Sequence, residues 1–209
     1  MSGSAPVRPA GVFDVLAAPV ASRPDAPALV TKTGSVTYAE LDGLADRAAG
    51  ALYALGLQPG DRVAAALPND LDIVVAFHGA MRLGAIWVGI NRALAPPEKD
   101  YLLTDSRARL VLADEATAAD LQDRLDPATH LVAPAGWAAA MASSAGRPPV
   151  PVPDPEAPAA IAYTSGTTGF PKGAVHCQAG LLLPGAATVA RRGWGPDLRK
   201  GDSLPFTIL

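Results

Sequence analysis

Between Tyr163 and Gly173 the chain reads Tyr-Thr-Ser-Gly-Thr-Thr-Gly-Phe-Pro-Lys-Gly, a run of residue types suited to holding an anion. Gly166 and Gly169 let the backbone bend so that successive N–H groups converge on one concavity, a nest for phosphate oxygens. Thr164, Ser165, Thr167 and Thr168 add hydroxyl donors at its rim. Lys172 supplies a mobile positive charge, and Pro171 stiffens the approach to it. A Walker loop places glycine directly before its lysine; here Pro171 stands there, so a kinase- or GTPase-like reading fails on spacing. A flexible Ser/Thr/Gly surface loop is the bland account. The apolar run 159–163 before the segment and Pro-Lys-Gly after it favour phosphate binding.

Other reactive residue types carry less. His176 and Cys177 follow the loop, but no base adjoins Cys177, and an inert, buried thiol is the expectation. His78 lies in an almost uniformly apolar stretch and reads as a hydrogen-bonded core histidine. His130 sits beside a weak strand. No His/Cys/Asp cluster has metal-ligand spacing, so a structural zinc is not expected. Arg191, Arg192, Arg199 and Lys200 around Trp194 suit coenzyme A phosphates in principle, and a solvated basic face more simply.

The elements that must position the loop alternate between helix and strand. Residues 13–21 read as a short helix, and 28–32 and 35–38 as strands around Thr33-Gly34. Thr37 and Glu40 form a capping box at the start of the clearest helix. Leu41, Leu44, Ala45, Ala48, Leu52 and Leu55 give it one apolar face, and Gly56 ends it. Strands are expected at 62–67, 85–90, 109–113 and 129–132. Helices are expected from Asn69 or Asp70 to Leu83, from Pro96-Pro97-Glu98 onward, and over 115–125. This alternation predicts an α/β fold, a mostly parallel sheet flanked by helices. The proline-rich run 146–158 cannot supply a sheet interior with donors and is expected to be extended and exposed. It divides a first α/β lobe, 1–145, from the phosphate loop and the start of a next lobe, 159–209.

The 209 residues are 49% hydrophobic and 18% charged, which suits a folded globular chain. A net charge of −3 argues against a nucleic-acid partner. One cysteine excludes an internal disulfide and fits a reducing compartment. Residues 1–10 do not read as a secretory signal. Residues 71–90 are apolar enough to raise a membrane span, but Asp72 and Arg82 would each cost about 2.5–3.5 kcal/mol there. A buried helix followed by a strand in a cytoplasmic protein is the expectation, with no transmembrane segment.

The string from Tyr163 to Gly173 resembles the signature loop of the adenylate-forming (AMP-binding) superfamily. That group includes acyl-CoA synthetases, aryl-CoA ligases, luciferases and nonribosomal peptide synthetase adenylation domains. Val36-Thr37-Tyr38-Ala39-Glu40-Leu41, Leu57-Gln58-Pro59-Gly60-Asp61-Arg62-Val63 and Leu83-Gly84-Ala85 resemble its landmarks in the expected order. The resemblance covers about 13–202 and is closest to a carboxylic acid:CoA ligase. It implies two half-reactions, activation of a carboxylate by ATP as an acyl-adenylate and then thioester formation with coenzyme A. Residues Thr164, Ser165, Gly166, Thr167, Thr168 and Gly169 would hold the β- and γ-phosphates. Lys172 would be the catalytic cation, and Thr167 would face the Mg2+ that travels with the triphosphate. Small-molecule carboxylate, ATP and CoA are the implied partners; a homo-oligomer is compatible with the sequence.

Members of the family often follow the loop with a Ser/Thr-His pair and Asn or Gly. Here the stretch is His176-Cys177-Gln178-Ala179-Gly180, so Gln178 holds the usual histidine place. The resemblance also places an adenine-binding segment, a Thr-Gly-Asp region, a hinge and a small C-terminal domain with its adenylation lysine downstream, and the sequence contains none of them. The expectation is therefore the N-terminal portion of the family's large domain, a truncated chain that binds ATP poorly and does not turn over. A non-catalytic nucleotide-binding or assembly module retaining the fold is the alternative.

Overall fold

The computed structural model describes residues 9–32, 34–164 and 169–201. Strands β3 (Arg62–Ala66), β4 (Ile86–Gly89), β5 (Leu110–Ala113), β6 (His130–Val132), β7 (Pro158–Thr164) and β8 (Lys172–Cys177) form one sheet in the order β6-β5-β3-β4-β7-β8. The first five in that order run parallel, and β8 pairs antiparallel with β7. β1 (Pro27–Val30) and β2 (Ser35–Thr37) make a separate antiparallel pair.

Helices cover both faces of the sheet. On one side lie α2 (Tyr38–Ala54), α3 (Leu71–Leu83) and α6 (Pro134–Ser143), packed over Val63, Ala65, Trp87, Leu110 and Leu112. On the other lie α4 (Pro96–Ser106) and α5 (Glu115–Leu121), over Ala64, Ala66, Val88 and Val111. Successive strand residues point to opposite faces, and the central strands β3, β4 and β5 are covered on both, so they are apolar nearly throughout, whereas the edge strand β8 is exposed along most of its length. The α/β reading with a mostly parallel sheet holds.

Local chemistry explains most element boundaries. Thr37 Oγ1 accepts from Glu40 N at 3.2 Å and Glu40 Oε2 accepts from Thr37 N at 2.8 Å, the capping box at the start of α2. Gly56 follows α2 with φ +93°, a conformation that favours glycine. Asp70 caps α3 through Leu71 N at 2.8 Å. α2 and α3 meet through small residues: a Cβ on Gly79 would lie 2.5 Å from Ala48 Cβ, so only glycine permits this approach.

Some expectations are corrected. The first helix splits into a 3-10 turn, Val12–Asp14, closed by the bonds of Asp14 N to Gly11 O and Val15 N to Val12 O, and α1, Ala17–Ser22; the Asp14 carboxylate caps the start of the turn at the N–H groups of Ala10 and Gly11. The helix expected over 115–125 ends at Leu121, ahead of Asp126-Pro127, where proline disfavours helical backbone. α6 and α7 (Gln178–Arg192) were not legible: α6 buries only Trp137, and Pro184 lies inside α7. Thr33 lies outside the described residues.

The proline-rich run is irregular but not simply exposed. Pro148 is buried, and Val150 packs against the larger core. The carbonyl of Gly146 lies so close to Gly50 of α2 that a Cβ there would come within 2.0 Å. Arg147 Nε donates to Asp46 at 3.0 Å, and Asp46 also accepts from buried Arg82 at 2.7 Å. Arg82 is further paired with Asp42. Residues 71–90 thus form α3 and β4, the charge at Arg82 is compensated, and no helix among the described residues is long and apolar enough to cross a membrane.

Candidate phosphate-binding site

The segment singled out in the sequence spans the turn between β7 and β8. Their antiparallel register pairs Thr164 with Lys172, Tyr163 with Gly173 and Ile161 with Val175. β7 also pairs in parallel with β4, through Trp87 and Val88 opposite Ala160 and Ile161. The turn therefore opens at the carboxyl end of β7, the end of a parallel sheet at which ligands of α/β folds bind.

Of the proposed ligand-holding residues, Thr164, Gly169 and Lys172 are described; Ser165, Gly166, Thr167 and Thr168 lie outside the described residues. Thr164 and Lys172 are brought face to face across the strand pair, with Thr164 Oγ1 3.5 Å from the Lys172 carbonyl oxygen. That distance is too long for a strong bond, so the ladder holds this pair. Lys172 is exposed and makes no ion pair with any described residue. Gly169 has φ +129° with no atom within 4 Å of a notional Cβ, so backbone conformation, not space, requires glycine there.

Gly173 is required for the opposite reason. A Cβ at this position would stand 2.7 Å from Ile161 Cγ2 and 3.2 Å from Tyr163 Cζ. Its absence lets the Tyr163 ring lie against the strand that begins with Lys172.

Helix α4 supplies residues that the sequence did not single out. The Tyr101 ring stacks on Phe170, centroids 5.1 Å apart and planes 24° apart. Its hydroxyl donates to the Pro171 carbonyl at 3.1 Å. The Tyr163 hydroxyl donates to Asp105 Oδ2 at 2.6 Å. Burial, followed by the bond to the Asp105 carboxylate, raises the pKa of Tyr163 well above the ordinary phenol value, so it stays protonated as the donor. The available signal was the four-residue spacing of Tyr101 and Asp105, which puts both on one side of a helix.

The residues after the hairpin have structural roles. His176 is an exposed strand residue of β8. Cys177 is half-buried and caps α7, its Sγ accepting from Gly180 N at 3.2 Å and lying 3.8 Å from Glu156 Oε2. Gln178 is 2% exposed. Its Oε1 accepts from Phe13 N at 2.8 Å and its Nε2 donates to the Met81 carbonyl at 2.9 Å. His78 packs edge-on to Phe77, and burial and neighbouring Arg82 depress its pKa to about 4. No hydrogen bond to its ring is found among the described residues. Arg192 stacks over Trp194 at 5.2 Å on an exposed surface, as a solvated basic face would.

Comparison with known proteins gives a consistent picture. The family model described as AMP-binding enzyme matches residues 16–203. A long-chain-fatty-acid–CoA ligase, FadD13, of Mycobacterium tuberculosis is 40% identical over 147 residues, 68% of this chain and 29% of its own length. The 3-hydroxybenzoate–CoA ligase of Aromatoleum sp. is 36% identical over 169 residues, 76% of this chain and 32% of its own. Among solved structures, the anthranilate CoA ligase AuaEII in complex with anthranoyl-AMP superposes with TM-score 0.75 at 28% identity, over 81% of this chain and 35% of that one. The chain thus spans about a third of the length of these relatives.

Proposed function

Because the chain belongs to the AMP-binding enzyme family, we propose that it carries the triphosphate-holding part of a ligase that activates a carboxylic acid with ATP and passes the acyl group to coenzyme A. In the first half-reaction a carboxylate oxygen attacks the α-phosphorus, the bond to the bridging oxygen breaks, and pyrophosphate leaves. In the second, the coenzyme A thiolate attacks the acyl carbon and AMP departs with the former carboxylate oxygen. Thr164 to Gly169 hold the β- and γ-phosphates, with Thr167 towards the Mg2+ that enters with ATP as substrate. Lys172 offsets the charge that builds on the departing pyrophosphate. This is positioning and electrostatic stabilisation, with no covalent role for the protein.

The observation that supports the reading is the Thr164–Lys172 register, which brings exposed Lys172 opposite Thr164 at the carboxyl end of β7, where the turn begins. Relatives named for long-chain fatty acids and for 3-hydroxybenzoate support a carboxylic acid as the substrate class. Nonribosomal peptide synthetases are also among the similar proteins, which keeps acyl activation as the shared chemistry.

The test uses two proteins. The 209-residue chain is expected to show no carboxylate-dependent ATP–pyrophosphate exchange. Three charge-assisted bonds to the phosphates supply about 5–9 kcal/mol, while association costs about 4–15 kcal/mol. A chimera in which residues 9–201 replace the equivalent part of the 3-hydroxybenzoate–CoA ligase is expected to exchange. Lys172→Ala in that chimera should slow adenylation by about 10²-fold, the loss typical of one preorganised electrostatic donor, with little change in the carboxylate KM. An unchanged adenylation rate would rule out the role given to Lys172.

A further inference from the structure

One helix holds both ends of the turn. At the entry, Asp105 takes the hydroxyl of Tyr163, the residue before Thr164. At the exit, Tyr101 stacks on Phe170 and bonds the Pro171 carbonyl, the residue before Lys172. Tyr101 and Asp105 are one helical turn apart on α4, so the two attachments move as a unit. Among the described residues, the Tyr101 hydroxyl is the sole hydrogen-bond partner found for the backbone of residues 169–171.

Tyr101 and Tyr163 pack against the smaller core, but the Tyr101–Phe170 stack adds little to it. Phe170 is 74% exposed even when stacked, so the stack removes little apolar area from water. Core-forming aromatics dominate packing by burying most of their surface. What the Tyr101–Phe170 and Tyr163–Asp105 pairs do fix is the direction in which the chain leaves β7 and re-enters β8. Lys172 follows immediately, and displacements of about 1 Å at a charge-stabilising group are costly in rate.

We propose that Tyr101 and Asp105 are positioning residues, a clamp on α4 that holds the β7–β8 turn, and with it Lys172, in register for the triphosphate. The proposal rests on the phosphate-binding reading above. Tyr101 acts at the exit through both its ring and its hydroxyl, and Asp105 at the entry through Tyr163. Neither side chain needs to touch the nucleotide. The clamp also gives Phe170 a role: an aromatic ring exposed on a polar turn is kept there by its partner on α4.

Amide hydrogen exchange over 164–173, read beside urea unfolding of the same 209-residue proteins, tests the clamp directly. Tyr101→Leu is expected to speed exchange of the ladder amides at 172–173, beside the contacts it loses, about tenfold with the urea midpoint nearly unmoved, and Tyr101→Phe, which keeps the stack and loses the bond to the Pro171 carbonyl, to lie between the two. Asp105→Asn should affect the entry side, around Tyr163 and Thr164, more than the exit. Unchanged exchange in Tyr101→Leu overturns the clamp; so does faster exchange throughout the chain with a fall in midpoint, which would make Tyr101 a general packing residue. In the chimera, Tyr101→Leu should lower the adenylation kcat about tenfold and leave the carboxylate KM in place, with Tyr101→Phe between that variant and wild type. An unchanged kcat overturns the positioning role. The underlying reading fails separately: if 20 mM MgATP leaves exchange over 164–173 unaltered in the parent chimera, the turn does not hold phosphate, whatever the Tyr101 variants do.

Discussion

Replacing Gln178 by leucine removes a side chain that joins three distant parts of the chain. Its Oε1 accepts from Phe13 N and its Nε2 donates to the Met81 carbonyl, both from a position only 2% exposed. Leucine fills similar volume but bonds neither group: Phe13 N–H loses its partner, while the Met81 carbonyl keeps the bond it accepts from Gly84 N at 3.2 Å. The orphaned N–H costs about 1–3 kcal/mol, and the lost second bond to the carbonyl about 0.5–1.5 kcal/mol. Burying the leucine returns about 1–2 kcal/mol, less than its full transfer energy because the site is polar. The expected net loss is about 1–2 kcal/mol. In a chain of this size that lowers Tm by about 2–8 °C. Urea unfolding followed by tryptophan fluorescence and circular dichroism measures the change independently, with the m-value unaltered. A loss below about 0.5 kcal/mol would refute the argument. It would mean that Phe13 N finds another partner without cost.

Three further outcomes follow from the geometry. Gly79→Ala drives a methyl group into Ala48, 2.5 Å away, and should cost about 1–3 kcal/mol by overpacking α2 against α3; chemical denaturation reads it. Thr37→Ala removes the acceptor for Glu40 N at the start of α2 and should cost about 1 kcal/mol, with Thr37→Ser recovering most of it. His78, depressed to about 4 by burial and by Arg82, with Asp42 partly opposing them, stays neutral in the folded chain while the unfolded chain takes up its proton near pH 6.5. Its effect is absent above that pH, grows as pH falls towards 4, and then levels off, a loss of up to about 3 kcal/mol. Urea midpoints measured from pH 7.5 to 4 for the parent and His78→Gln should diverge over that window, and parallel curves would refute it.

Several features were legible from short stretches of sequence. The Thr37–Glu40 box, the stop at Gly56, the cap at Asp70 and the strand–helix alternation each depend on residues a few positions apart, and the structure has them as read. The loop string was legible too, because glycine, hydroxyl and lysine spacing is itself local information. α7 was not, since Pro184 inside it argues against a helix and only tertiary packing decides the matter.

The sequence by itself determined the α/β class, most element positions and the family resemblance, since each is written in periodicity, capping or a contiguous motif. Only the tertiary structure decided that β7 lies beside β4, that Gln178 ties Phe13 to Met81, and that Tyr101 and Asp105 meet the loop. Tyr101 and Pro171 are 70 positions apart, and Gln178 and Phe13 are 165 apart. No local propensity reaches across such separations. Strand order sets which helix faces which turn, and strand order follows from burying both faces of one sheet at once.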